Sequence, residues 1–277
     1  MNSSFFQTSD GVKLHYSHHG MGEPIILIPG GGFSSRVFKY QISALSKSHQ
    51  VFALDNRGHG QSEKVNFGYN IARFTKDLFE FIEHLQLDSV TLIGHSLGAS
   101  MLYRYIDLFG CAKIKKLIIV DEPPVLLINP KWNEQKCLQY GATYKTAELH
   151  DLTNGFLADD ISSLKKQIID VMTTHNISEE NKHFLLQCFD LPGQAAAKLY
   201  CNNICQDFRD ILAKITVPTL FVGGRVSLSP WQAFEWMHQQ VTHSELVIFE
   251  ENEGGNHFMF LENPEKFNRL IIDFLKS

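Results

Sequence analysis

The stretch Thr91-Leu-Ile-Gly-His-Ser-Leu-Gly-Ala-Ser100 decides how the rest of this 277-residue chain is organised. An apolar run leads into the pattern Gly-x-Ser-x-Gly, and helix-forming residues follow. This order predicts a buried strand, a sharp turn with Ser96 at its apex, and a helix. The two glycines suit a turn too tight for side chains on either flank. Ser96 is therefore a candidate nucleophile, and the N–H of Leu97, at a helix N-terminus, is a candidate donor to a developing oxyanion.

Apolar runs and helical patterns alternate on both sides of this stretch. Strands that are apolar throughout and alternate with helices are typical of an α/β fold, in which helices cover both faces of a parallel sheet. An alternating segment at 11–17 predicts an additional half-exposed strand. The predicted buried strands, besides the one above, are 24–29, 50–55, 116–120, 217–224 and 245–249, and the predicted helices are 37–45, 71–85, 99–108, 231–240 and 264–276.

The alternation stops between residues 124 and 214. Helical patterns occur there at 161–172, 181–188 and 195–212, and no clear buried strand accompanies them. We therefore predict a helical cap at 124–214, inserted into an α/β core formed by 1–123 and 215–277.

Composition narrows the classes of partner and the compartment. The net charge of −5 favours neither nucleic acid nor an anionic membrane surface. No apolar run reaches the roughly 18 residues that span a bilayer, and residues 1–10 lack the features of a signal peptide. The five cysteines are odd in number and irregularly spaced, which favours a reduced, cytoplasmic protein. Cys201 and Cys205 lie four residues apart without a second pair of ligands, so we predict no metal and no other cofactor. Monomer and homodimer stay equally open.

A base for Ser96 must come from one of the thirteen histidines. His257 follows Gly254, Gly255 and Asn256 in the loop between the last predicted strand and the last helix. In a parallel sheet this loop opens at the same edge as the Ser96 turn, so we predict His257 as the base. His95 adjoins the serine and is expected to point away from its hydroxyl, and His59 is expected to be structural.

A second oxyanion donor is expected from the loop after the strand at 24–29. The run Gly30-Gly31-Gly32 lets the backbone approach a substrate closely, and Gly31 is the best candidate within it. The run lacks the Lys-Ser/Thr ending of a phosphate-binding P-loop, so nucleotide binding is not favoured.

Together these motifs make the chain resemble the α/β-hydrolase superfamily over nearly its whole length. It is most similar to the cofactor-free esterase, lactonase and haloperoxidase-like branch with a helical cap. The resemblance implies a mostly parallel twisted sheet, Ser96 as nucleophile, His257 as base, and Gly31 and Leu97 as oxyanion donors. The motifs that carry it are the Gly30–Gly32 loop, Asp55-x-Arg57-Gly58-x-Gly60-x-Ser62, the Gly94–Gly98 turn, and Asn256-His257-Phe258 followed by Leu261-Glu262-Asn263-Pro264.

The catalytic acid is where the chain departs from this family. The resemblance implies an aspartate a few residues after the strand at 217–224, but Ser227 stands at that position. A serine cannot hold the imidazolium charge that forms when His257 takes a proton. Asp121, at the end of the strand next to the nucleophile strand, is our predicted replacement, and its neighbour Glu122 is the alternative.

Aromatic residues of the cap and of the core loops are expected to enclose the substrate. We predict Phe33, Trp132, Tyr140 and Trp231 as pocket residues. Further cap rings are expected near the site, namely Tyr144, Phe156, Phe184, Phe189 and Tyr200. An aromatic lining predicts a mostly apolar, dry pocket. The competing interpretation is that several of these rings form the cap's own core.

The leading functional hypothesis is a serine hydrolase that cleaves a small or medium apolar ester or lactone through an acyl-enzyme. A serine nucleophile argues against epoxide hydrolase and dehalogenase chemistry, whereas C–C bond hydrolysis, hydroxynitrile cleavage and perhydrolysis remain compatible. Peptide cleavage is disfavoured, because no acidic cluster is evident for a free amino terminus. The second hypothesis is a ligand-binding sensor with weak or no turnover, which the absence of an aspartate at position 227 favours.

Overall fold

Eight strands form one sheet in the computed structural model, which describes residues 2–277. Their order across the sheet is β1-β2-β4-β3-β5-β6-β7-β8, with β1, β2 and β4 paired antiparallel and all later pairs parallel. The strands are β1 (Asn2–Gln7), β2 (Lys13–His19), β3 (Pro24–Ile28), β4 (Gln50–Leu54), β5 (Val90–His95), β6 (Ile114–Val120), β7 (Thr219–Gly224) and β8 (Ser244–Phe249).

Helices cover the sheet and build the segment between β6 and β7. Short 3₁₀ turns occupy Ser35–Phe38, Arg209–Lys214 and Glu251–Glu253. The α-helices are α1 (Lys39–Leu45), α2 (Ile71–His84), α3 (Leu97–Phe109), α4 (Glu134–Tyr140), α5 (Thr146–Phe156), α6 (Ser162–Val171), α7 (Glu179–Cys188), α8 (Gly193–Ile204), α9 (Trp231–Gln240), α10 (Met259–Glu262) and α11 (Pro264–Lys276).

The predicted α/β architecture is confirmed, and the central strands are buried along their whole length. Every residue of β5 and of β7 is buried, as expected for parallel strands with helices on both faces. Because β5 lies between β3 and β6, with β7 beyond, the loops that leave the carboxyl ends of these four strands are neighbours. The site develops at this edge.

Several elements differ from the expectation, among them α4 and α5, which lie outside the three helical patterns predicted between residues 124 and 214. The sequence patterns missed β1, which pairs along the edge with β2 and leaves Phe5 half-exposed. The expected helix at 195–212 ends instead at Ile204, because the following residues are held away from helical geometry. The N–H of Phe208 donates to the carbonyl of Pro124 (2.8 Å), and Asp207 accepts from the N–H of Arg209 (3.2 Å).

The segment between β6 and β7 contains α4 to α8 and, within the described chain, only isolated bridges in place of strands. One bridge joins Phe189 to Phe33 of the loop after β3, so this segment is fixed directly to the core. The boundaries 124–214 for a cap remain a prediction.

No helix within residues 2–277 combines the length and the apolar character needed to cross a membrane. Met1, the first residue of the segment in which we expect no signal peptide, lies outside the described residues.

Arg57 is a fully buried cation that ties the loop after β4 to α2. Its Nε and Nη2 donate to the two carboxylate oxygens of Asp77 (2.7 and 2.8 Å), and Nη2 also reaches Asp10 (3.0 Å). Removing one partner of a buried ion pair leaves an uncompensated charge and costs roughly 3–5 kcal/mol. Arg73 also contacts Asp77 and would still compensate part of that charge.

We therefore expect Arg57→Met to lower the free energy of unfolding by about 3 kcal/mol, the lower end of that range. Urea titration followed by circular dichroism measures the loss, and Arg269→Met, at an exposed position on α11, is the matched control. Equal stability of the two variants would contradict the prediction.

Candidate active site

Ser96 stands at a strained turn between β5 and α3. Its backbone has φ 52° and ψ −128°, a conformation that side-chain-bearing residues rarely adopt. Both flanking glycines are required by space: a Cβ on Gly98 would lie 2.3 Å from the carbonyl oxygen of Ile28, and one on Gly94 would lie 2.7 Å from the backbone of Gly98. The turn brings Ser96 to the wall of a cavity at the carboxyl edge of the sheet.

His257 and Asp121 meet at the same edge. The Nδ1 of His257 lies 2.6 Å from Oδ2 of Asp121, and both side chains are buried. Asp121 follows β6 directly and has a positive φ of 51°, which turns its carboxylate toward the loop that carries His257. An aspartate in this position fixes which ring nitrogen carries the proton and stabilises the imidazolium form.

Ser227, which stands where the family resemblance implies the acid, contacts Asp121 instead. Its Oγ donates to Oδ2 of Asp121 (2.5 Å), and the N–H of Gly224 donates to Oδ1 (3.2 Å). The carboxylate therefore comes from β6, and the loop after β7 contributes hydrogen bonds that hold it.

Glu122, the alternative acid, is directed elsewhere. Its Oε1 accepts hydrogen bonds from Oγ of Ser100 (2.7 Å) and Nδ2 of Asn203 (3.0 Å). Complete burial raises the pKa of this carboxyl group to about 7. The sequence left two candidates for the acid. In the structure Asp121 contacts His257, whereas Glu122 contacts α3 and α8.

The Ser96 hydroxyl has no hydrogen-bond partner among the residues that the structure describes. Ser96 and His257 nevertheless line the same cavity. Hydrogen bonds between a nucleophile and its base are often long in the free protein and shorten when a substrate binds.

Two backbone N–H groups are available beside Ser96. Leu97 is the first residue of α3, so its N–H has no partner within the helix. The carbonyl of Gly30 accepts from the N–H of Phe33 (3.3 Å), and in a trans peptide the N–H of Gly31 then points the opposite way. A Cβ on Gly31 would lie 3.1 Å from Cδ1 of Leu97, so the two candidate donors belong to neighbouring residues.

The next peptide of this loop is held at both ends. The Tyr200 hydroxyl of α8 donates to the carbonyl of Gly31 (2.7 Å), and the N–H of Gly32 donates to Nε2 of His59 (2.9 Å). Nδ1 of His59 donates to the carbonyl of Arg57 (2.9 Å), which leaves Nε2 free to accept. Burial lowers the pKa of His59 and keeps the ring neutral. His59 thus has the structural role expected of it.

Tyr200→Phe should lower kcat roughly tenfold and leave KM nearly unchanged, since an unsatisfied buried carbonyl costs roughly 1–3 kcal/mol and loosens the loop that carries Gly31. Steady-state kinetics with a p-nitrophenyl ester measures the two constants separately. Tyr105→Phe, which changes a buried tyrosine remote from this loop, is the control. A purely KM effect would contradict the positioning role.

His95 lies behind the pair formed by His257 and Asp121. Its Nε2 donates to the carbonyl of His257 (2.9 Å), so the ring points away from the Ser96 hydroxyl, as expected. Burial, with a smaller contribution from His257, holds the pKa of His95 well below its usual value. A neutral His95 supports the backbone of the loop that carries His257.

The cavity beside Ser96 is narrow, with a volume of about 50 Å³. Its wall combines apolar side chains with hydroxyl, amide and carboxyl groups. The lining residues are Ser96, Glu122, Leu126, Thr143, Tyr144, Met172, Tyr200, Asn203, Ile204, Leu228, Ser229 and His257.

Of the rings expected near the site, Tyr144 and Tyr200 line this cavity, whereas the four predicted pocket residues do not. Phe33 stacks on Phe189 with ring centroids 4.8 Å apart and belongs to the core. An arginine side chain packs over each of the other three rings. Arg209 lies over Trp132 (4.5 Å) and Tyr140 (4.7 Å), and Arg225 lies over Trp231 (4.3 Å).

Sequence reasoning missed Asn203 and did not recognise Glu122 as a cavity residue. Asn203 lies three residues after Tyr200 on α8, so the two share one face of the helix. No motif marks Asn203 within its helix, whereas the position of Glu122 directly after Asp121 at a strand end was a usable signal.

The family model described as the alpha/beta hydrolase family matches residues 25–270, and the chain belongs to this family. A hydrolase of Acinetobacter baylyi, named (E)-2-((N-methylformamido)methylene)succinate hydrolase, is 37% identical to this chain. The aligned region spans 100% of this chain and 99% of that protein. Non-heme chloroperoxidase CPO-A1 of Kitasatospora aureofaciens is 26% identical, with 98% of each chain covered.

Among solved structures, an esterase of Exiguobacterium antarcticum superposes with a TM-score of 0.90 at 27% identity and covers 99% of each chain. With the chloroperoxidase, this likeness places the chain in the cofactor-free esterase and haloperoxidase-like branch of the family. Hydrolase activity is therefore supported.

Proposed function

We propose that this protein is a serine hydrolase that cleaves a carboxylic ester or lactone through an acyl-enzyme. The observation that carries the proposal is the 2.6 Å contact between Nδ1 of His257 and Oδ2 of Asp121, at a cavity that Ser96 also lines. Asp121 thereby takes the place of the aspartate that the chain lacks at position 227. Ser96, His257 and Asp121 would then form a nucleophile, base and acid triad.

In the first half-reaction Oγ of Ser96 attacks the ester carbonyl carbon while Nε2 of His257 takes the hydroxyl proton. The N–H groups of Gly31 and Leu97 donate to the oxyanion of the tetrahedral intermediate. The C–O bond to the leaving group breaks, and His257 returns the proton to the departing alkoxide oxygen.

In the second half-reaction a water molecule replaces the alcohol. His257 takes one of its protons as the water oxygen attacks the acyl-enzyme carbonyl. The bond between the acyl carbon and Oγ of Ser96 then breaks, and the proton returns from His257 to Oγ. The products are a carboxylic acid and the free enzyme. Asp121 stabilises the imidazolium form of His257 in both halves without itself changing protonation.

The sensor hypothesis loses the feature that favoured it. It rested on the absence of an aspartate at position 227, and a fully buried carboxylate from β6 contacts the histidine instead.

The substrate of the Acinetobacter relative is not one that we transfer to this chain. The name of that relative gives its substrate as a succinate derivative, and succinate carries two carboxylates. The described cavity wall holds no arginine or lysine to bind such an anion, and it includes Glu122.

A fluorophosphonate probe tests the proposal directly. We expect covalent labelling of the folded protein, with the added mass on the peptide that contains Ser96, and prior incubation with p-nitrophenyl acetate should slow the labelling. Heat-denatured protein is the control for non-specific reaction. If folded protein neither takes up the probe nor releases p-nitrophenol from short-chain esters, the hydrolase proposal fails and the sensor hypothesis replaces it.

A further inference from the structure

Glu122 offers an unused acceptor to whatever occupies the cavity. Its side chain is only 3% exposed and lines the cavity together with Ser96 and His257. Both hydrogen bonds that it accepts, from Ser100 and Asn203, reach Oε1. Oε2 has no hydrogen-bond partner anywhere in residues 2–277.

Asn203 adds a second unused acceptor beside it. Its Nδ2 donates to Glu122, and its Oδ1 is buried without a hydrogen-bond partner in the described chain. Exchanging the amide oxygen and nitrogen would set Oδ1 against the Glu122 carboxylate, acceptor against acceptor, so Glu122 itself fixes the orientation of the amide. Buried polar atoms normally have partners, and Oδ1 of Asn203 has none in the described chain, while Oε2 of Glu122 can accept from a donor that enters the cavity.

The charges around this wall are unbalanced. Glu122 adjoins Asp121, whose carboxylate is engaged with His257, and no arginine or lysine lines the described cavity. A buried carboxylate without a cationic partner is costly, and this cost is the main reason that its pKa is raised to about 7. A cation that entered the cavity would remove it.

We propose that Glu122 and Asn203 recognise a protonated amine on the acyl part of the substrate. An ammonium group donates up to three hydrogen bonds and carries the missing positive charge, so it satisfies both acceptors at once. A hydroxyl group would satisfy one acceptor and leave the charge, and a carboxylate would be repelled. The inference rests on the proposed hydrolase function and specifies its substrate class as amino-acyl esters.

The purely structural alternative is that Glu122 only links α3 to α8 through Ser100 and Asn203. Such a link would make the protein more stable but would not distinguish between acyl groups of equal size. The test therefore measures a preference between matched substrates.

The substrates are p-nitrophenyl esters that differ in one group. β-Alanine ester is compared with butanoate ester, and glycine ester with propanoate ester, so that ammonium replaces methyl at two chain lengths. At one of these chain lengths at least, we expect the wild type to have a kcat/KM about tenfold or more higher for the amine ester than for the methyl ester. A charge-assisted hydrogen bond of roughly 1.5–3 kcal/mol corresponds to a preference of at least this size. Glu122→Gln should reduce that ratio about tenfold or more, and Asn203→Leu should reduce it by a smaller factor.

Glu265→Gln is the matched control, because it removes the same charge at an exposed position on α11. Equal kcat/KM for amine and methyl esters at both lengths would overturn the inference. So would an unchanged ratio in both Glu122→Gln and Asn203→Leu. Neither result affects fluorophosphonate labelling, so failure of the amine subsite and failure of the hydrolase proposal are distinguishable.

The pH dependence of the ratio for the β-alanine and butanoate esters is a second readout. The glycine ester is left out here, because its α-amino group itself titrates close to this pH range. As pH falls through about 7, Glu122 takes up a proton and loses its charge, so the preference for the amine should fall with it. Effects of pH on turnover that are common to both esters cancel in the ratio. A ratio that rises on acidification would instead identify a protonated Glu122 as a donor to the substrate and overturn the inference. The titratable groups that face Glu122 are Asp121, His257, Tyr103, Tyr144 and Tyr200.

Discussion

Ser96→Ala is expected to lower kcat for a p-nitrophenyl ester by a factor on the order of 10⁶ and to abolish fluorophosphonate labelling. Alanine removes the only atom that can form the acyl bond. It keeps the Cβ, so the strained turn between β5 and α3 retains its shape. Any residual rate would come from substrate binding and the oxyanion donors alone, without covalent catalysis.

The control for this variant is Ser163→Ala, which removes an exposed hydroxyl on α6 and should keep wild-type kinetics. Thermal unfolding of both variants checks that the fold is intact. Ser96→Ala with turnover within a hundredfold of wild type would contradict the assignment of Ser96 as nucleophile.

The second large effect concerns the acid. Asp121→Asn should lower kcat by roughly 10⁴, because an amide cannot stabilise the imidazolium form and favours the wrong tautomer of His257. Asparagine tolerates a positive φ better than most residues, so the backbone at φ 51° should not change. The loss should therefore appear in catalysis with little change in melting temperature.

A second substitution makes this prediction sharper. Oγ of Ser227 lies 2.5 Å from the Asp121 carboxylate, so an aspartate at 227 would project toward His257 from the neighbouring loop. We expect the double variant Asp121→Asn with Ser227→Asp to have a kcat at least about tenfold higher than that of Asp121→Asn alone. Ser227→Asp by itself should reduce activity, because it sets two carboxylates side by side. If Asp121→Asn keeps turnover within a few-fold of wild type, another residue supplies the acid.

The fold was predictable because its signals are local. Apolar strands alternating with helices, and a Gly-x-Ser-x-Gly turn between them, predicted the parallel sheet correctly. β1 was missed because its sequence, Asn2-Ser-Ser-Phe-Phe-Gln7, has neither a continuous apolar run nor the alternation that marked the strand at 11–17. The helix at 195–212 was overextended because its end is set by a bond from Phe208 to the distant carbonyl of Pro124, which periodicity cannot reveal.

The candidate site was predictable only where chain order determines position. Because the carboxyl ends of parallel strands meet at one sheet edge, the sequence predicted that Ser96, Asp121 and the loop of His257 lie together. The structure brings Asp121 and His257 into contact. The pocket was not predictable in the same way. Trp132 and Tyr140 lie in the expected segment but face Arg209, and the orientation of a helix between two loops depends on such tertiary contacts.

The position of the acid on β6 has a consequence for how such a protein can vary. Ser96 and Asp121 both precede the helical insert along the chain, on adjacent strands in fixed register, so their spacing does not depend on the length or sequence of the insert. Had the acid stood at position 227, every change in that insert would have lain between nucleophile and acid. We expect that substituting the whole segment between β6 and β7 would change substrate choice while Ser96 and Asp121 keep their spacing, provided that the new segment supplies a donor to the Gly31 carbonyl, as Tyr200 does here.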